Sequence, residues 1–190
     1  MRARRERRRA ERALWESFVS RPAYDPANFL TEGMRAAPEG AVNSVKSDVH
    51  TPEIMAQHVK EMARKFGADL VGIVALDPAN DDRETFPEPA TFAVVCALFA
   101  PYDPATTPGL AAQGRVQRGL MVSFMLAAYL RETGHFATTR DVSVEERARL
   151  ATRAGVARRD RQGRLRRARH RGGVWVSDVV YTDFPLVGER

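Results

Sequence analysis

Cysteine is almost missing from this 190-residue chain, which has Cys96 and no other. One thiol closes no intrachain disulfide, builds no Cys-rich zinc site and cannot hold an iron–sulfur cluster by itself. Set in the apolar run Ala93 to Phe99, it reads as a small buried hydrophobe. Lysine is nearly as scarce, with Lys46, Lys60 and Lys65 against 27 arginines. No apolar run reaches bilayer length, the longest being Gly119 to Leu130, so no membrane partner is expected. The first arginines lead into Glu11-Arg12-Ala13-Leu14-Trp15 with no apolar h-region, so no secretory signal is visible and a cytoplasmic protein is expected. Glycine-rich dinucleotide, P-loop and nucleophile-elbow motifs are all missing. The four histidines (His50, His58, His135, His170) share no ligand spacing, so no protein-ligated metal is expected.

What is present is enough for one folded domain: 44% hydrophobic and 28% charged residues bury a real core. The charge is uneven. Residues 1–12 and 158–171 carry fifteen arginines against Glu6, Glu11 and Asp160, a local +12 in a chain of net +6, which leaves the body at −6. Two basic segments on an acidic domain admit a non-catalytic module that binds nucleic acid through phosphate neutralisation. The basic runs lack interleaved aromatics and a nucleic-acid motif, which weighs against it.

Along the chain, residues 3–20 read as an arginine-rich helix stopped at Arg21-Pro22, giving an N-terminal unit over 1–21. Residues 22–50, with several prolines and glycines, read as an extended wrapping segment. Thr51-Pro52-Glu53 starts a helix whose apolar positions run from Ile54 to Phe66, with Gly67 as its stop. Two continuous apolar strands, 69–76 and 91–99, indicate a sheet covered on both faces. A long helix over 110–133, a helix over 143–154 opened by a Ser143–Glu146 capping box, and an alternating strand over 174–182 complete the pattern. The fold class is α+β (α/β-like), a single domain over 51–186 with a short C-terminal end at 187–190.

Residues 58–77, HVKEMARKFGADLVGIVALD, resemble the opening of the cobalamin-dependent reductive dehalogenases, where a helix of form I-K-x-x-A-x-x-x-G-A-D-L-V-G-I leads into a core strand. Residues 126–137, LAAYLRETGHFA, are similar to that family's l-A-x-x-I-R-x-L-G-Y-x-A. Ala154-Gly155 falls where the family has A-G-L-G-E-x-G-R-x-G, and residues 181–186, YTDFPL, are similar to its T-D-L-P-L. In the related epoxyqueuosine reductases an Asp precedes the loop's Gly by fourteen residues, and Asp141 precedes Gly155 by fourteen here. The matches run in order over 46–186, about three quarters of the chain.

The resemblance implies a nitroreductase-like domain that binds cobalamin base-off between its core and a following domain. It implies reductive dehalogenation of a small organohalide or a related reduction, an oxidoreductase activity. Gly155 and Gly163 fall on the cofactor-binding loop. Tyr102 takes the place of a proton donor, Arg161 that of a cation lowering the phenol's pKa, and Asp141 that of an acid able to protonate a departing group. Two departures stand out. The family's two 4Fe-4S clusters follow T-D-L-P-L, whereas these residues stop at Arg190; no cluster is expected in this chain, and either a separate ferredoxin-type donor supplies electrons or the chain is an incomplete, truncated relic. The loop after Gly155 keeps only Gly155, Arg161 and Gly163 in register. Residues 157–173 therefore read as a decayed loop or a compensated frame slip.

Overall fold

The computed structural model describes residues 26–47, 50–77, 86–100, 110–167 and 173–189. The expected N-terminal helix over 3–20 and Tyr102 lie outside the described residues. In chain order the elements are α1 (Pro26–Ala36), α2 (Pro52–Lys65), β1 (Leu70–Ala75), β2 (Phe92–Ala100), α3 (Leu110–Glu132) and β3 (Ala137–Arg140). They continue with α4 (Val144–Arg153), β4 (Arg158–Arg159), β5 (Leu165–Arg166), β6 (Gly173–Val176) and β7 (Val179–Thr182).

The seven strands form one sheet in which every described pairing is antiparallel, which makes the fold α+β. β1 and β2 pair over their full overlap, from Leu70 opposite Ala97 to Ala75 opposite Phe92. On the other side of β2, Ala97 faces Val176 whereas Val94 faces Val180, a register shift of one residue. β6 and β7 are thus one long strand interrupted by a bulge at Ser177 and Asp178. This is the alternating strand expected over 174–182, broken where two polar residues stand among apolar ones.

Both faces of the sheet are covered, as the continuous apolar runs require. Val71, Ile73, Val94 and Cys96 pack under Val59 of α2 and Val122, Leu126 and Leu130 of α3. Val74, Val95, Val174 and Val176 pack under Leu150 and Ala151 of α4. Cys96 is buried on the α2–α3 side, and burial pushes its thiol up to about 12. The last described residues close the free edge of β1: the Glu189 N–H donates to the Ile73 carbonyl at 2.8 Å, and Lys60 pairs with the Glu189 carboxylate.

The helix boundaries follow their local signals. Pro52 opens α2, preceded by Thr51 in extended backbone, although the Thr51 side chain makes no capping bond. Ser143 caps α4 by accepting from the Glu146 N–H at 3.1 Å. The reading of 22–50 as extended throughout is corrected: α1 occupies Pro26–Ala36. Pro26 at the first helical position favours the helix, and the Gly33 penalty is offset by packing on α3 and by the long-range ion pairs of Arg35. Residues 158–167 form a turn-stabilised hairpin of β4 and β5.

Candidate functional site

The residues that carry the family-like motifs build the frame. The Asp69 carboxylate accepts the Phe99 N–H at 2.8 Å, tying β1 to the end of β2. Thr182 Oγ1 donates to the Phe136 carbonyl at 2.6 Å and accepts the Phe184 N–H at 3.1 Å, which fixes the turn after β7. The second and last motifs meet there. His135 is buried with its ring edge-on to Phe184 at 4.6 Å, and its Nδ1 lies 3.5 Å from the Asp183 carboxylate. Neither atom completes a hydrogen bond in that geometry.

Burial holds the His135 pKa below its ordinary 6.5, with Asp183 partly opposing the shift. The unfolded chain then binds the proton more tightly than the folded one. The contribution is present above the unfolded value and is lost as pH falls through it toward the depressed folded value. Thermal stability is expected to fall as pH drops below the ordinary histidine value of 6.5, and His135→Gln should flatten that part of the profile. An unchanged slope in the variant would remove His135 from the pH dependence.

The bulge at Ser177–Asp178 organises a charge cluster. Ser123 of α3 donates to the Asp178 carbonyl at 2.6 Å and shares a 2.5 Å hydrogen bond with Ser177, anchoring the bulge to the helix. The Asp178 side chain, 3% exposed, takes two bonds from Arg35 of α1, at 3.0 and 2.9 Å. That fork raises the Arg35 pKa further. Arg35 also reaches Asp141 at 3.0 Å, while Arg147 of α4 holds Asp141 at 2.5 Å and stands 3.7 Å from Asp178. Two carboxylates and two guanidiniums therefore lock α1, α4, the end of β3 and the bulge together.

Beside this cluster the β4–β5 hairpin projects arginines. Asp160 organises its turn, accepting the N–H groups of Gln162 at 2.8 Å and Arg164 at 3.0 Å. These bonds, with Arg166 at 3.3 Å, keep the half-buried Asp160 carboxyl below its ordinary pKa. Arg167 donates to the Gly155 and Val156 carbonyls, pinning the hairpin to the end of α4. A cleft of about 440 Å³ lies between α4 and the strands β5 and β6, and another of about 370 Å³ lies along Gly155, Arg158 and Arg167.

Of the expected site residues, Asp141 lines a smaller cleft of 180 Å³ with Arg35, Arg131 and Asp178. Arg161 is exposed at the hairpin turn and lines none of these clefts. Gly155 and Gly163 have φ of +64° and +79°, with nothing near the position of a Cβ, and each borders a different side of the hairpin. Gly155 and Gly163 thus flank the β4–β5 hairpin, whereas Asp141 lines a cleft that neither glycine borders. Sequence reading passed over Arg35, Arg147 and Asp178. The available signal was an acidic residue inside the apolar stretch 174–182, since a buried charge demands a partner. Among the described residues no group of three His, Cys, Asp or Glu side chains could hold a metal ion, and no helix is long and apolar enough to cross a membrane.

No protein-family model matches the chain, and no curated protein matches it. Solved structures do. The catabolic reductive dehalogenase NpRdhA is 29% identical with a TM-score of 0.66, over 86% of this chain and 24% of its own. The same enzyme in complex with 3-bromo-4-hydroxybenzoic acid matches at 28% identity and 0.65 over the same shares. A reductive dehalogenase whose structure suggests a mechanism for B12-dependent dehalogenation matches at 28% identity and 0.64, again over 86% and 24%. The chain therefore spans about a quarter of the length of the enzymes it matches. The likeness covers 86% of this chain at 28–29% identity, and the body of the chain is reductive dehalogenase-like in fold.

Proposed function

We propose that this chain is a nitroreductase-like, cobalamin-binding domain of the reductive dehalogenase kind, working with electrons delivered from an iron–sulfur module outside these residues. The observation that carries the reading is the match over 86% of the chain to structures of reductive dehalogenases, one described as B12-dependent. The residues fit the cofactor as one wall. Gly155 and Gly163, at positive φ and open where a Cβ would sit, permit close backbone approach. A corrin exceeds both clefts, so the rest of the cofactor would be covered by another domain.

Bound cobalamin would supply the reduced cobalt that performs the hard step on a small organohalide. The tasks left to this chain are binding, orientation and proton supply, with Tyr102 as donor, Arg161 as the cation near it and Asp141 as the alternative acid. A ferredoxin-type protein fits the electron demand, since Cys96 is buried and alone. The nucleic-acid reading is less well supported, because Arg159, Arg166 and Arg167 already engage carbonyls or carboxylates of their own chain.

Titration with cobalamin tests the proposal. Saturation at about a hundred times the dissociation constant should add ~2.7 kcal/mol of stability, a melting shift of several degrees, with a change in the corrinoid visible spectrum. Superimposed melting curves from folded protein, with and without millimolar cofactor, would overturn it.

A further inference from the structure

The 180 Å³ cleft lies between α1 and the body of the domain. Met34 and Arg35 of α1 form one wall, Phe124, Ala127 and Arg131 of α3 another, and Asp141 stands at the end of β3. A helix set over an unfilled cleft forgoes the dispersion contacts that close packing would give. The sequence of α1 adds little helix stability of its own. It has eleven residues, no acidic side chain in the first turn, and Gly33 in its interior facing open space.

Charge holds its last turn. Arg35 forks onto the buried Asp178 at 3.0 and 2.9 Å and reaches Asp141 at 3.0 Å. The chain is then anchored a second time, where Glu39 accepts the Thr138 hydroxyl and the Asn43 N–H donates to the Arg131 carbonyl at 3.0 Å. Around this second anchor Gly40 has φ of +80°, a conformation that glycine takes without steric cost. Beneath α1, Ala127 is 1% exposed and Arg131 is 5% exposed. We infer that α1 is a lid over this cleft, latched by Arg35 and turning about residues 37–40, whose opening admits solvent and small solutes to Arg131 and Asp178. The Arg35 and Asp141 side chains are partly exposed, so that limb of the latch is screened by salt, whereas the buried Asp178 limb is screened much less. The lid is thus held by one ionic cluster and opens more often than the core unfolds. The inference does not rest on the cobalamin reading, which its own titration decides.

Thiol labelling of the full chain tests it. The thiol introduced by Ala127→Cys reports opening of the lid, while the native Cys96, buried within the sheet, reports global unfolding. With iodoacetamide, position 127 is expected to react at least about tenfold faster than Cys96. Adding Arg35→Gln should speed position 127 by about fivefold or more, with a smaller effect on Cys96. Raising sodium chloride from about 0.05 to 0.5 M should act in the same direction, because the Asp141 limb is exposed. Equal rates at the two positions, or an unchanged rate at position 127 on Arg35→Gln, would overturn the lid. Immediate reaction of position 127 in the parent would overturn it too, since the cleft would then stand open throughout. If either variant does not fold, hydrogen exchange of the native chain decides. Amides of 26–36 exchanging ahead of those of β2 support the lid, and exchange in step with β2 overturns it.

Discussion

Replacing Gly72 with alanine is expected to destabilise the protein by about 3 kcal/mol or more, the upper end for overpacking a core. Gly72 lies in the middle of β1, and a Cβ there would overlap the carbonyl oxygen of Ala154 as well as its Cα-bound methyl group. The obstacle is the backbone at the C-terminal end of α4, which a rotamer change cannot clear. Relief would require α4 to lift from β1, uncovering the packing of Leu150 and Ala151 over Val74. Gly155→Ala is the control. Nothing lies near its Cβ position, so it should cost only the left-handed penalty of about 1–2 kcal/mol. Urea unfolding of both variants checks the pair. A loss under about 1 kcal/mol for Gly72→Ala would mean that helix and strand are not in such close contact.

Asp178→Ala should cost about 2–4 kcal/mol. Removing one partner of a buried pair leaves the other charge without compensation. The figure is set below the full buried-pair range because the Arg35 side chain is 37% exposed and can turn to water. Arg147, 17% exposed and 3.7 Å from Asp178, has less freedom to do so. The backbone of the bulge should persist, since Ser123 and Ser177 bond to the Asp178 carbonyl and not to its side chain. A double-mutant cycle with Arg35→Ala isolates the coupling across α1 and the sheet, expected at about 1 kcal/mol or more. Asp178→Ala within 0.5 kcal/mol of the parent would show that the cluster contributes nothing net to stability.

Much of the frame was written in short-range signals. The spacing from Ile54 to Phe66, the Ser143–Glu146 box and the unbroken apolar runs of β1 and β2 depend on neighbours a few residues apart, and the elements appear where those signals stand. Burial of Cys96 and coverage of both sheet faces follow from the same runs. The ordered motifs also pointed to the reductive dehalogenase-like body, and the structure explains what they do: Asp69, Gly72 and Thr182 close strand ends, admit α4 and fix a turn.

Other features were decided only in three dimensions. α1 carries proline and glycine and looks irregular locally, yet it packs on α3 and joins a fork between residues 143 positions apart. The arginine-rich block after Gly155 becomes a hairpin because Asp160 gathers the N–H groups of its own turn and Arg167 reaches back to α4. The antiparallel order, the one-residue shift that creates the bulge, and the cleft between α4 and β6 all depend on which strands meet. Periodicity assigns a residue to a face. Pairing, charge partners and cavities arise between faces that are distant along the chain, and no local pattern in these 190 residues encodes them.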